Sequence, residues 1–412
     1  MRIKVKVCDA IMGAGKSQSA IHYMNTHNDH FVYLTPYLDE VDRIKRQCFG
    51  KNFISPENKG GGKLDNLHHL LARQCNVSST HALFSAYNNY TMELIRNGDY
   101  ILILDEVFGV LEEMNIKKSD ISVMFSSGLA CMDDDGQHVK WLADNYDGTK
   151  FADIMLKAKT HNLIYFNNSM MFWTFPIEIF NAFKEVIVLT YLFDAQIQKY
   201  YYDYNNVNIE YIGVSCKDEQ YSFTSKNIAP KSKYDLKSLI HIEDSDKLNR
   251  IGGDGNALSS SWFKRDKRTK EKPLIGILRN NIYNYLHNKT GSVDGDTMWT
   301  VFKDYRALVK GKGYSSRFVS CNIRATNEYR NCTKLAYCIN VFFNPNIKNY
   351  FLSHNIEVDE DTYALSEMIQ WIWRSAIRDG KEIWVYVPSK RMRSLLTNWI
   401  DDVNCKENTL YP

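Results

Sequence analysis

Residues 3–17 read Ile3-Lys4-Val5-Lys6-Val7-Cys8-Asp9-Ala10-Ile11-Met12-Gly13-Ala14-Gly15-Lys16-Ser17, and the fold turns on them. From Ile3 to Cys8 polar and apolar residues alternate, the period of a strand rather than the apolar block of a signal peptide. Gly13 and Gly15 interrupt that pattern, and a helix is expected from Ser17 to about Asn25. The eight residues Ala10 to Ser17 fit the phosphate-cradling pattern Gly-x-x-x-x-Gly-Lys-Ser/Thr, with Ala10 in the first position. Glycines let backbone N–H groups close around phosphates. The helix N-terminus that follows adds positive potential. Ala10, Gly13, Ala14, Gly15, Lys16 and Ser17 are therefore expected to bind ATP, Lys16 reaching the β- and γ-phosphates and Ser17 placing its hydroxyl on Mg²⁺.

A second stretch strengthens the first. Tyr100-Ile101-Leu102-Ile103-Leu104 is apolar on both faces, as a central parallel strand must be, and it ends in Asp105-Glu106. A carboxylate at the C-terminal end of such a strand is placed to hold Mg²⁺, so Asp105 is the expected metal residue. Glu106 is the expected group to orient or deprotonate the attacking water. Phe31 to Thr35 and Glu185 to Thr190 read as further strands, Leu38 to Cys48 as a helix, and the glycine-rich residues 55–63 as a loop. Strands alternating with helices predict an α/β fold with a parallel sheet.

After about residue 195 the texture changes. Residues 1–195 are expected to form an ATP-binding lobe and 196–412 a second lobe, with a basic and aromatic insertion around 215–320. Residues 215–272 read as polar and irregular, Pro273 to Leu278 as a strand, Asp361 to Asp379 as a helix, and Lys381 to Val387 as a strand. The net charge of +3 is too small to argue for nucleic acid by itself. Local patches carry that argument. Lys264, Arg265, Lys267, Arg268, Lys270 and Lys272 read as a flexible cationic loop, with Trp262 and Phe263 beside it to stack on bases. Lys303, Arg306, Lys310, Lys312 and Arg317 form a second basic set. The 9 cysteines show no metal or disulfide spacing and are read as free thiols of a reducing, cytoplasmic compartment. Asp133-Asp134-Asp135 is read as a solvent-facing loop, and the histidines as structural or surface residues without partners at ligand spacing. No apolar run approaches the ~20 residues needed to span a bilayer.

The chain resembles superfamily 2 helicases. Their phosphate loop commonly reads Ala-x-x-Gly-x-Gly-Lys-Ser/Thr, matched by Ala10, Gly13, Gly15, Lys16 and Ser17; Asp105-Glu106-Val107-Phe108 is similar to their Asp-Glu-x-x box. The resemblance implies two RecA-like lobes with ATP between them. It also implies that Thr35, within Tyr33-Leu34-Thr35-Pro36, and Thr80 and His81, within Ser79 to Phe84, touch nucleic acid. Thr190 falls where a motif coupling ATP to nucleic acid belongs. Gln370-Trp371-Ile372-Trp373-Arg374-Ser375-Ala376-Ile377-Arg378 resembles the family's Gln-x-x-Gly-Arg-x-x-Arg, with Trp373 for Gly and the second Arg one residue late. Gln370, Arg374 and Arg378 are then catalytic, one of the two arginines stabilising γ-phosphate charge; at i,i+4 they would share a helix face. Cys321 to Arg330 and Asn340 to Pro345 resemble segments of phage-encoded helicase-like proteins.

The expected activity is thus an ATP-driven helicase or translocase on single-stranded or forked DNA, with RNA left open, in phage replication or repair beside other replication proteins. Two alternatives stand beside it. A terminase-like packaging ATPase shares the loop and carboxylates but adds an acidic nuclease triad, which the second half does not show. A non-unwinding ATP-binding loader or switch needs only the first lobe.

Overall fold

The computed structural model describes residues 3–144, 146–225, 232–268, 273–293, 295–321 and 328–405. In chain order the strands are β1 (Val5–Asp9), β2 (His30–Thr35), β3 (Val77–Thr80), β4 (Tyr100–Asp105), β5 (Leu111–Glu113), β6 (Ala130–Met132), β7 (Val139–Trp141), β8 (Leu163–Phe166) and β9 (Met170–Thr174). They continue with β10 (Glu185–Thr190), β11 (Ile209–Lys217), β12 (Gln220–Thr224), β13 (Ile240–Ile242), β14 (Thr297–Thr300), β15 (Lys334–Tyr337) and β16 (Ile383–Tyr386). Two compact units emerge. One gathers the residues through Cys8, Ala20–Tyr211 and Asn344–Val358; the other gathers Asp9–Ser19, Ile212–Phe343 and the residues from Asp359 onward.

The first unit is organised by the strand order β1-β10-β4-β2-β3. β4 is its pivot, parallel to β10 on one side and to β2 on the other, and every residue of β4 is buried. That is why Tyr100 to Leu104 is apolar throughout: a strand covered on both faces has no solvent side to mark with polar residues. β2 continues in parallel to β3. Beyond β10 comes β1, where the Val186 amide donates to the Lys4 carbonyl at 3.0 Å and Lys6 pairs with Glu185 at 2.9 Å. β11 and β12 pair antiparallel, from Gly213 opposite Thr224 to Lys217 opposite Gln220. One face of the sheet closes over an aromatic cluster in which Phe84 meets Phe175, Phe108, Tyr87 and Phe180 at centroid distances of 4.7, 4.9, 4.9 and 5.6 Å.

Between β4 and β10 the chain builds a separate substructure. β5, β9 and β8 form an antiparallel sheet, β6 and β7 a hairpin. They share a core of their own that includes Ile121, Met124, Trp141, Phe151, Ile154 and Leu163.

The second unit holds a sheet ordered β13-β16-β15-β14, parallel at every pairing. Trp299, Tyr314, Tyr337 and Trp371 fill its core, all fully buried. The expected α/β class with parallel sheets is what the chain adopts.

Several local expectations are corrected here. The described residues of 215–272 are not irregular: they contain β12, β13 and a helix at Ser260–Asp266. Pro273 to Leu278 is not a strand but the start of a helix, Leu274–Tyr283. Its buried residues, Ile275, Leu278 and Ile282, fall at helical spacing, while Leu274 and Ile277 are exposed. The Asp266 carboxylate accepts the Leu274 and Ile275 amides at 3.0 and 2.8 Å, satisfying donors that a helix start leaves unpaired. The helix expected from Asp361 to Asp379 runs only from Glu360 to Ile372, and a 3-10 turn at Ala376–Asp379 follows. Ser375 separates them: its backbone is extended and its hydroxyl donates to the Ile372 carbonyl at 2.6 Å, which competes with the helical ladder.

Truncating Phe84 tests how far the first unit's core depends on the aromatic cluster. Phe84→Ala is expected to cost about 3–5 kcal/mol in equilibrium chemical denaturation, because the side chain is fully buried among four rings. A loss below ~1 kcal/mol would show that the cluster collapses freely around the cavity.

Candidate nucleotide site

β1 ends at Asp9 and the next residues are already committed to a turn. Ala10 and Ile11 are buried, and the Ala14 amide donates to the Ile11 carbonyl at 3.2 Å. Gly13 and Gly15 have φ of +82° and +94°, a region that side chains with a Cβ rarely adopt. The helix Lys16–Thr26 starts at once, with the Ser19 amide on the Gly15 carbonyl at 2.8 Å. Lys16 reaches back over this loop: its ammonium donates to the Ala10 carbonyl and, at 3.2 Å, to that of Ile11. Ser17 lies in the first helical turn and is partly exposed. The residue types, dihedrals and strand–loop–helix order are those that phosphate cradling requires.

Position 15 is closed to any side chain for a second reason. A Cβ there would stand 2.1 and 2.3 Å from two ring carbons of Tyr221 on β12. Tyr221 therefore packs against the loop, a contact that no spacing in the sequence announces.

In the first unit the carboxyl ends of the parallel strands bring a second set together. Asp105 closes β4, opposite Leu189 of β10 and next to the end of β2. Thr35 and Thr80 are register partners at the ends of β2 and β3, and Thr190 ends β10. In open α/β sheets this edge is where ligands bind. Asp105 is buried and its Oδ2 accepts the Tyr33 hydroxyl at 2.9 Å. Burial, and then the Asp105 charge, push the Tyr33 phenol well above its ordinary range, so Tyr33 stays a donor and holds the carboxylate in one orientation. Glu106 follows in the left-handed region with φ +70°, its amide on the Leu189 carbonyl at 2.9 Å. A glutamate in that region is strained, and the backbone bond to β10 is what holds it there.

The other expected residues are more dispersed. Thr35 is fully buried, with its hydroxyl accepting the Tyr37 amide at 3.3 Å. His81 is buried edge-to-face on Phe108, and Thr80 is partly exposed. In the second unit Gln370 is half-buried at the end of its helix, Arg374 half-buried in the turn beyond it, and Arg378 exposed on the 3-10 turn. Arg374 and Arg378 do not share a continuous helix face, a correction that follows from the break at Ser375. The adjoining Asp379 is bonded to Arg330, at 2.6 Å to one guanidinium nitrogen.

Lys264 and Arg265 project from the helix Ser260–Asp266, and Lys267 and Arg268 follow; all four are exposed. This corrects the flexible cationic loop to a basic helix end. Trp262 and Phe263 are not available for base stacking: both are buried, and Phe263 stacks on Tyr305 at 5.0 Å. Lys270, Lys272 and residues 322–327 lie outside the described residues. Arg317, of the second basic set, donates to the Gly295 carbonyl at 3.0 Å. Asn340, in the segment Asn340 to Pro345, donates to the Gly255 and Ala257 carbonyls and accepts from Arg391. Arg391 also bonds Asp361 and stacks over Phe342, and nothing in its spacing marked it out. None of the eight cysteines whose side chains are described forms a disulfide.

Two of the histidines meet in the structure. His138 and His161 are stacked at 3.9 Å, with Asp135 beside both. Burial alone would raise the Asp135 carboxyl, but the amides of His138 and Gln137 and the His138 ring hold it down to about 2.

Comparison with known proteins places the chain. Residues 111–173 match the model of the YonV middle domain, and residues 234–400 that of the YonV C-terminal Rossmann-like domain. These are the antiparallel substructure between β4 and β10 and the parallel sheet of the second unit. Among solved structures, S. tokodaii Xpd4 aligns over 97% of this chain and 94% of its own, at 10% identity and a TM-score of 0.46. The yeast DEAD-box splicing factor Prp28 aligns over 100% and 78%, at 11% identity and a TM-score of 0.23. Both likenesses are too faint to carry an argument. The SPbeta prophage-derived protein YonV of Bacillus subtilis (strain 168) is 45% identical over 415 residues, covering 97% of this chain and 99% of that one. The chain belongs to the YonV family.

Proposed function

We propose that the chain is an ATP hydrolase that works on nucleic acid, as a helicase or translocase. The observation that carries this reading is the loop Ala10 to Ser17, with its two left-handed glycines and the Lys16 ammonium turned over it, in a chain whose β4 ends in the oriented carboxylate Asp105. In this reading Lys16 pairs with the β- and γ-phosphates, and the loop amides cradle them. Ser17 and Asp105 would hold Mg²⁺, which would supply positive charge against the charge that develops on the phosphates. Glu106 orients the attacking water and takes its proton. Arg374 or Arg378 offsets γ-phosphate charge, and Lys264, Arg265, Lys267 and Arg268 track phosphates of single-stranded or forked DNA. A relative from a prophage supports a phage origin, and the proposed activity would then serve phage DNA replication or repair. No helix among the described residues is long and apolar enough to cross a membrane.

Steady-state hydrolysis with and without single-stranded DNA is the central test. Glu106→Gln is expected to lower kcat by about 10²–10⁴-fold while leaving nucleotide affinity nearly unchanged. Full DNA-stimulated turnover in that variant would remove Glu106 from the mechanism. Wild-type hydrolysis without strand displacement would favour translocase over helicase; ATP binding without hydrolysis would favour a loader or switch.

Gly15→Ala is expected to abolish binding of a fluorescent ATP analogue, since both the backbone angle and Tyr221 exclude a methyl group there. Replacing Lys264, Arg265, Lys267 and Arg268 together by Ala should flatten the salt dependence of single-stranded DNA binding. Each lost phosphate contact reduces the slope of log K against log salt by about 0.7, so a change of up to roughly 3 is expected. An unchanged slope would place the DNA path elsewhere.

A further inference from the structure

The hairpin β6–β7 and His161, which lies in the turn after the helix Ala152–Lys159, converge in the segment between β4 and β10. The Tyr165 amide donates to the Gln137 carbonyl at 2.9 Å, and His138 bridges to Ile164, so β8 is stitched to the hairpin turn. That stitching carries His161, just before β8, against His138. The turn itself fixes Asp135: its Oδ1 accepts the Gln137 and His138 amides, each at 2.9 Å. Oδ2 is left to face the rings, 2.5 Å from His138 Nδ1 and 3.6 Å from His161 Nε2.

We propose that Asp135, His138 and His161 form a binding site for a divalent transition-metal ion of the zinc type. Three ligand atoms, one from each residue, lie within 4.8 Å of one another. Around a tetrahedral ion with bonds of about 2.0–2.2 Å, ligand atoms stand roughly 3.3–3.5 Å apart. The Asp135–His161 pair, at 3.6 Å, is close to that separation, and the Asp135–His138 pair, at 2.5 Å, reaches it by opening about 1 Å as the shared proton leaves.

A second observation, independent of the first, concerns how His161 is aimed. Its Nδ1 faces Asp133 Oδ2 at 3.4 Å, while its Nε2 faces Asp135. A carboxylate on one ring nitrogen fixes the tautomer that presents the other nitrogen's lone pair, the usual support behind a metal-bound histidine. Two imidazoles with one carboxylate select zinc, cobalt or nickel over magnesium or calcium, which prefer oxygen throughout. His138 is half-buried while Asp135 and His161 are exposed, so a fourth position is open to water. None of these residues enters the nucleotide reading, and the two stand or fall separately.

The test uses the full chain, stripped with chelator and titrated with Zn²⁺ by calorimetry and with Co²⁺ by absorption. One Zn²⁺ per chain is expected, with Co²⁺ giving a spectrum of nitrogen and oxygen ligation. His138→Ala and His161→Ala should each weaken Zn²⁺ binding at least tenfold, with an unchanged thermal melt of the metal-free protein. Asp133→Asn should weaken it by about 10–100-fold, as loss of an orienting partner does. Equal Zn²⁺ affinity in the wild type and the double variant H138A/H161A overturns the proposal. So do thiolate charge-transfer bands with Co²⁺, which would send the ion to the cysteines; this readout needs no variant to fold.

Discussion

β4 has to satisfy its backbone on both edges and its side chains on both faces at once. Peptide groups buried on a strand like this must all be paired, so β2 and β10 are obligatory neighbours, and only apolar side chains fit between the layers. The ladder ends at Asp105. Beyond it the Glu106 amide still finds the Leu189 carbonyl, and that last bond turns the chain into a left-handed residue. The strain at Glu106 and the fixed carboxylate of Asp105 both follow from where this strand's pairing stops.

The same constraint explains the placement of chemistry. Parallel strands end together on one edge, so Thr35, Thr80, Asp105 and Thr190 come from distant parts of the chain yet stand in a row. Tyr33 is the quiet member of that row. It lies inside β2 with no polar signature in its surroundings, and its role as donor to Asp105 depends on the strand order alone. The segment from β5 to β9 interrupts the chain between the strands that matter most to the sheet without disturbing it, because it carries its own core.

Where the amino-acid pattern misled, the cause is specific. The run from Leu274 to Leu278 has the apolar content of a strand, and a cap from Asp266, six residues before Lys272, makes it a helix. Trp262 and Phe263 sit beside four cations, which suggested an exposed aromatic surface, but in the helix they share one buried face with Asp266 while Lys264 and Arg265 point out. The segment Gln370 to Arg378 had an unbroken helical texture; a single hydroxyl, that of Ser375, found the Ile372 carbonyl and ended the helix before the arginines could align.

The phosphate loop was legible because its geometry is encoded in consecutive residues: glycine dihedrals, a helix start, a lysine within reach of its own loop. So was β4, whose double-sided burial forces its composition. Tyr221 against Gly15, Tyr33 on Asp105 and the meeting of Asp135, His138 and His161 were decided by tertiary structure. Tyr221 against Gly15, Tyr33 on Asp105 and the approach of His161 to the Asp135–His138 turn join residues distant in sequence, brought together by strand pairing that collective burial and backbone hydrogen bonding fix and no local spacing records.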